Sequence, residues 1–567
     1  LKKLSLNFFS ISALILSAAI VCQLEFPAVA QGHEHQHPQP ATQKQQEKKD
    51  PASPSSEHSH HNPAPQPSEK NAATASEKQS AMPAAHHQHS EALHPEHNAH
   101  SSAMLTTISG GPFRSMNAIG SGTALQPAST PMYGWHWMPG EWMIMLHAEL
   151  KVGFNHQGGR RGVGKANSQN WAMLMAERNL WRGRMMLRGM MTAEPLTAPH
   201  GGFPQLFQTG ETYRKRPIID AQHPHDLLME LAASYTLPVS ERASIHFYGG
   251  PVAEPALGPV AFMHRASAME NPAVPLAHHW QDSTHITHGV ITGGLTYGRF
   301  RIEASGFHGK EPDEKRAGIE LGSIDSWSWR FSFMPSPNWT AQYSMGRLSN
   351  PEFLHTGDVV RRTASLMWNQ PLRWGNIAST VVWGRNSEIH GVSNSYLLES
   401  TLRFRDKNYA YIRGELLDKQ GLLEDNIFGR SGVICLRVPQ NKAAASEAVS
   451  KGILVNPATS PAIVICTPDI TNTRSFVTRF SSASIFNHGG LPQDPSRVYP
   501  SAIFNRWFRV GAFTLGGVRD LVSNHRWRLG LGADLTLYHQ PPALNLVYGK
   551  SVKSYQVFLR LRSGEMK

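Results

Sequence analysis

The stretch WMIMLHAELKVGF, residues 142–154, carries Met143, Met145, His147 and Glu149 at alternate positions. A second stretch, NWAMLMAERNL, sets Met173 and Met175 beside Glu177 in the same alternation. Thirteen of the 20 methionines fall between Met132 and Met269, so the enrichment is regional. A thioether is a soft, neutral ligand for Cu(I) or Ag(I), and several at alternate positions on neighbouring strands would form a low-affinity ladder. Plain packing explains the same residues equally well, because methionine fills irregular gaps. The parity puts Met185, Met191 and Met229 on the opposite, lipid-facing side.

A second group lies in polar connections: His223 and His225 in DAQHPHD, then His278, His279, Asp282 and His285 in HHWQDSTHITHG. Imidazoles and carboxylates converging at an extracellular rim would hold a divalent ion. Their spacing matches no zinc signature such as H-E-x-x-H, and the competing reading is that they knit the loops together by hydrogen bonds. A third group is the series of clusters His33, His35, His37, then His58, His60, His61, then His86, His87, His89. These sit among Pro, Ser, Ala and Gln with almost no large apolar residue, so the segment cannot offset its ordering entropy and should be disordered. Flexible imidazoles can gather around a transition ion at little strain cost. A pH-sensitive solubilising linker would have the same composition.

The elements that must position the first two groups are strands. Between Trp142 and Phe154 every even residue except Ala148 is large and apolar, which is period two and incompatible with one face of a 3.6-residue helix. The same alternation recurs in RMMLRGMMTAE (184–194), DLLMELAASYTL (226–237) and YLLESTLRFR (396–405), with Arg and Glu on the second face. Connections alternate between long and short, as expected of a transmembrane antiparallel barrel with lipid outside and water inside. Long ones are expected at 155–168, 195–225, 251–284, 310–325, 348–360, 387–395 and 419–503. The count comes to about 16 strands, an all-β fold, with Trp135, Trp137, Trp142, Trp181, Trp339, Trp374 and Trp527 near strand ends at the membrane interface.

The chain therefore divides into an export signal (1–30), a disordered His-rich periplasmic tail (31–105), a linker or plug (106–140) and an outer-membrane barrel (141–567) with a long extracellular loop at 419–503. Cys435 and Cys466 lie in that loop, where an exported protein can join them as a disulfide or keep two unpaired thiols. The formal charge of +12 is spread along the strands beside Glu, which excludes nucleic acid as a partner. No nucleophile, base and acid constellation is legible, so the expectation is a non-enzymatic protein without an organic cofactor.

A histidine-rich disordered segment followed by an outer-membrane barrel resembles the copper-resistance protein B family. DAQHPHDLLMELA, HHWQDSTHITHG and YGRFRIEASGFHGKEPDE are also similar to a poorly characterised group of Gram-negative exported proteins. The first resemblance implies a barrel that binds or passes copper or another transition metal, with outer-membrane lipid and periplasmic metal-handling proteins as partners. The alternative is a porin-like channel for polar or anionic solutes, using Arg188, Arg301, Arg403 and Arg413 beside Glu303 and Glu415. A third, lesser reading is an outer-membrane hydrolase working through His223 or His285.

Overall fold

The computed structural model describes residues 116–352, 357–389, 391–430 and 507–566, with the backbone of Ile434–Pro439, Leu454–Asn456 and Ala462–Thr467. The chain divides into two compact units between Asn98 and Ala99, and all the described residues lie in the second. The expected export signal, the tail 31–105 with its histidines, and the first part of 106–140 lie outside the described residues.

One sheet holds seventeen strands. Sixteen of them close a barrel: β1 (Met143–His156), β2 (Gly164–Leu180), β3 (Gly183–Met191), β4 (Leu228–Pro238), β5 (Ala243–Ala253), β6 (Thr287–Tyr297), β7 (Phe300–Phe307), β8 (Ser326–Ser336), β9 (Trp339–Leu348), β10 (Val359–Leu372), β11 (Gly375–Glu388), β12 (Gly391–Phe404), β13 (Asn408–Lys419), β14 (Phe508–Ser523), β15 (Trp527–His539) and β16 (Lys553–Ser563). Each pairs antiparallel with its neighbours in sequence, and β16 returns to β1 through Glu149↔Arg562 to His156↔Tyr555. Closure leaves no open edge to expose unpaired backbone to lipid. The remaining strand, Trp135–Trp137, pairs with β1 opposite Ile144–Leu146.

The alternation sorts side chains as the sequence predicts. On β1, Leu150, Val152 and Phe154 are exposed on the outer wall while Met145, Glu149 and Lys151 are buried inside. On β16, Tyr555, Val557 and Leu559 point outward, and Ser554, Gln556, Arg560 and Arg562 are buried. An outward apolar belt over an inward charged face is stable only with hydrocarbon outside, so this is a membrane-spanning barrel. Trp181, Trp339, Trp374 and Trp527 are all exposed and all sit at short turns, forming an aromatic girdle at one end. Gly298 has φ +57° and opens the two-residue β6–β7 turn, a conformation that an L side chain resists.

Two expected connections are shorter than predicted by half or more. The β1–β2 connection covers 157–163 rather than 155–168, and β11 and β12 are joined by two residues rather than by 387–395. The ladder continues through Glu388↔Gly391, because backbone pairing above the bilayer needs no apolar side chain, and the polar run NSEIHGVSN conceals it. Met229 is also corrected. It is 2 % exposed and faces inward, since the register shifts between Met190 and Met191 where β3 meets β4 and the parity of the strand changes.

The interior is filled. The connection 254–286 between β5 and β6 is buried almost throughout, and its partners lie on the inner faces of strands all round the barrel. Residues 203–222, a bulged hairpin, pack over it at the long-loop end: Leu206 and Phe207 join Leu276, Trp280, Leu422 and Tyr548 in one apolar group. From the other end the segment 116–134 enters the barrel. Arg188 donates to Gly122 O (2.6 Å), Arg330 to Thr123 Oγ1 (2.7 Å) and Asn369 to Ser129 O (2.7 Å).

Candidate functional site

The functional question is centred on the plug 254–286. Its polypeptide offers backbone groups and a few charged side chains to a polar wall, and many of them bond it. Ala256 N donates to Ser305 Oγ on β7 (2.8 Å), and Gly258 N to Ser344 Oγ on β9 (2.9 Å). Lys151 on β1 donates to Met269 O (2.7 Å), Arg413 on β13 to Ala273 O (2.6 Å), and Ala277 N to Glu415 (3.0 Å). Arg265 is wholly buried and bridges Glu399 on β12 (2.8 Å) and Asp282 of the plug (2.7 Å). Glu270 pairs with Arg560 and, at 2.8 Å, with Arg562, both on β16. Small cavities between plug and wall measure about 10, 20 and 30 Å3, room for at most a water or two each. A much larger recess of about 1040 Å3 lies at the short-turn end, lined by Trp135, Arg403, Asp406, Trp527, Arg528 and Glu565.

The inward methionines are brought together. Cross-strand register aligns Met145 with Met175 and His147 with Met173 between β1 and β2, then Met173 with Met190 between β2 and β3. Met145, Met173, Met175, Met186, Met190 and Met229 form a single apolar group with Met263 and Phe262 of the plug, and Met143 packs on its edge. His147 and the plug residue His264 flank Trp171, with ring centroids 4.6 and 4.9 Å from the indole. Burial holds the His264 imidazole down to about 3, so it is neutral at ordinary pH. The arrangement is a soft, dry patch between one side of the wall and the plug.

The loop histidines also meet, buried just beyond the long-connection ends of β3, β4 and β6. Pro224 holds QHPH extended, so His223 and His225 descend from the 192–227 connection toward the plug. His278 and His279 start a one-turn helix, His278–Gln281, and Asp282 breaks it ahead of His285. His225 Nδ1 bonds Glu194 (2.8 Å), His278 Nδ1 bonds Asp282 Oδ1 (2.8 Å), and His285 Nδ1 bonds Asp282 O (2.8 Å). His223 is held at both nitrogens, by Glu211 (2.8 Å) and Pro224 O (3.0 Å). His279 turns its Nδ1 toward Glu311 at 3.8 Å.

Burial pulls His278 down to about 4 and His279 to about 3. Burial would raise Asp282, but Arg265 and His278 outweigh it and keep the carboxyl well below its ordinary range. Burial lowers His225 as well, and there Glu194 outweighs it so that the net shift is upward. Among the described residues no three His, Cys, Asp or Glu side chains already stand gathered as a ligand set.

Sequence reasoning missed the partners. Glu194, Glu211, Arg265, Glu270 and Glu399 organise the plug, and their mates lie far along the chain, 134 residues away for Arg265 and Glu399. The one usable signal was parity, which puts Glu194, Glu399, Arg560 and Arg562 on inward faces. Cys435 and Cys466 are Cα partners across the antiparallel pair Ile434–Pro439 and Ala462–Thr467.

No protein-family model matches the chain, and no curated protein matches it. Among solved structures it is similar to an anion-selective porin from Comamonas acidovorans, at 9 % identity with a TM-score of 0.40, covering 74 % of this chain and all of that one. It is also similar to OprB of Pseudomonas putida, at 12 % identity with a TM-score of 0.40, covering 75 % of this chain and 94 % of the other.

Proposed function

We propose that this protein is a porin-like channel of the outer membrane for polar or anionic solutes, held shut by its own connection 254–286. The observation that carries the reading is the polar seam between plug and wall. Lys151, Glu399, Arg413, Glu415, Arg560 and Arg562 each place at least one hydrogen bond on the plug. Each such bond nets only about 0.5–1.5 kcal/mol, or roughly twice that when charged, because water replaces the lost partner on release. Withdrawal would leave a wet lumen lined by arginines, among them Arg188, Arg301 and Arg403. The reading is of a non-enzymatic protein, and it takes residues 31–105 as a periplasmic tail.

The test is conductance in planar bilayers. Full-length protein should stay closed with rare openings, whereas a refolded variant lacking 31–134 and with 256–284 replaced by a short Gly-Ser linker should conduct steadily and favour chloride over potassium. A folded variant that carries no current would overturn the channel.

A second reading, passage of copper or another transition metal, is favoured by the methionine patch with His147 and His264. It is the function implied by the likeness to the copper-resistance protein B family, with periplasmic metal-handling proteins as donors. Replacing Met145, Met173 and Met175 by Leu should abolish Ag(I) flux into proteoliposomes while leaving chloride flux unchanged. Equal loss of both, or of neither, counts against the metal.

A further inference from the structure

Four of the plug-side imidazoles have Nδ1 on an oxygen, and three of them, unlike His223, do not engage Nε2 as well. His225, His278 and His285 each have Nδ1 taken up by an oxygen, from Glu194, from the Asp282 carboxylate and from the Asp282 carbonyl. An oxygen acceptor fixes a proton on Nδ1, so whenever a ring is neutral its free lone pair is on Nε2. The Nε2 atoms of His225 and His285 are buried without any hydrogen-bond partner. Such an orphan inside a protein calls for an explanation. Metal-binding histidines have this same outer arrangement, with the second nitrogen donating to a carboxylate or carbonyl that orients the ring.

The spacing agrees. His225 and His285 have ring centroids 5.3 Å apart, and His278 and His285 5.1 Å. With a metal–nitrogen bond of about 2.05 Å, two imidazoles on one tetrahedral ion have centroids about 5.2 Å apart. The ring planes are inclined by 64° and 54°, so modest rotation about the side-chain bonds would aim the lone pairs at a common point. Phe262 stands 5.6 Å from His278 and 6.2 Å from the other two, an apolar wall on one side. Glu194, Asp226 and Asp282 supply three buried negative charges around the rings against the positive charges of Arg265 and Arg316. His223 and His279 do not qualify: the first has both nitrogens engaged, and the second aims its ring at Gly210.

We infer that His225, His278 and His285 bind one divalent transition ion, zinc or a borderline neighbour such as cobalt, nickel or copper, through their Nε2 atoms. The ion joins the plug to the 192–227 connection, and its binding stands whether or not the barrel conducts.

Cobalt tests this on the full-length protein, because a tetrahedral three-imidazole site gives intense visible d–d bands, whereas loose octahedral binding to histidine-rich segments gives weak ones. One equivalent of Co(II) should produce the intense bands, and Zn(II) should bleach them. His225→Ala and His285→Ala should each reduce the bands at least tenfold, with His225→Gln and His285→Gln as alternates wherever unheated gel mobility shows the alanine variant unfolded. Glu194→Gln, which only repositions His225, should retain the bands but weaken cobalt affinity by about 10- to 100-fold. Absence of intense bands in the wild type overturns the site, and so does their persistence in both folded histidine variants.

Discussion

Arg265→Met is the sharpest perturbation of the closed state. The guanidinium is 0 % exposed and makes three bonds, to Glu399 at 2.8 Å, Asp282 at 2.7 Å and Val260 O at 2.9 Å. The last two lie within the plug and survive its release, so only the bond to Glu399 distinguishes closed from open. Methionine keeps most of the volume and leaves Glu399 with Arg413 at 3.2 Å and Ser267 at 3.0 Å. The loss therefore falls near the lower end of the range for truncating a buried ion pair, about 2–3 kcal/mol. At about 1.4 kcal/mol per decade that shifts the closed–open ratio by roughly 30- to 150-fold. The assay is single-channel open probability, with folding of the barrel checked by gel mobility. Glu399→Gln should act in the same direction, and the double variant should cost less than the sum, since the two share one interaction. If both single variants keep the wild-type open probability while folded, the ion pair does not latch the plug.

Three further outcomes follow from the same structure. Leu559→Arg, at an outward position that is 48 % exposed, should destabilise the barrel by about 2–4 kcal/mol in urea-dependent refolding into vesicles, and Leu559→Ala by much less. Glu254, at the root of the plug, is pushed by burial up to about 8 from an ordinary 4.5, so the docked state holds its proton more tightly than the released one. Docking should weaken as pH rises through 4.5–8 and level off above, read as tryptic cleavage of the loop, and Glu254→Gln should flatten this slope. Because the register sets Cys435 opposite Cys466, at a cross-strand Cα separation of about 4.5–5.5 Å, non-reducing peptide mapping should recover them as one linked pair, and labelling of both thiols in unreduced protein refutes it.

The outer wall was legible because lipid imposes a rule that every strand obeys. Leu150, Val152 and Phe154 had to alternate with Glu149, Lys151 and Gly153 whatever the inside contained, so strand existence and facing could be read from a single sequence. Where hydrocarbon stops, the rule stops. Glu388 and Gly391 pair beyond the apolar belt with no side-chain pattern to announce it. Met229 failed for a different reason: a register shift at Met190 and Met191 changes the parity, and period-two counting cannot see an irregularity that depends on the neighbouring strand.

The plug was illegible because its environment mimics solvent. A connection folded into a lumen that is itself charged keeps the composition of a surface loop, since each buried Arg, Glu or His is satisfied by a wall residue instead of by water. The residue types in HHWQDSTHITHG pointed to imidazole chemistry at the long-loop end, but six candidates looked alike. Only coordinates separate them, through the identity of the atom each Nδ1 meets: Glu194 and Asp282 orient three rings, Glu211 and Pro224 use up a fourth, and a fifth is left beside Glu311. Asp282 changes most in meaning. Read as a sixth candidate ligand, it instead aligns His278 through its carboxylate and His285 through its carbonyl, while Arg265 ties its other oxygen to the ion pair that reaches the wall. A metal at the three imidazoles and the latch at Glu399 therefore share one residue, so cobalt binding should lower the open probability of the wild type and have a smaller effect in Arg265→Met.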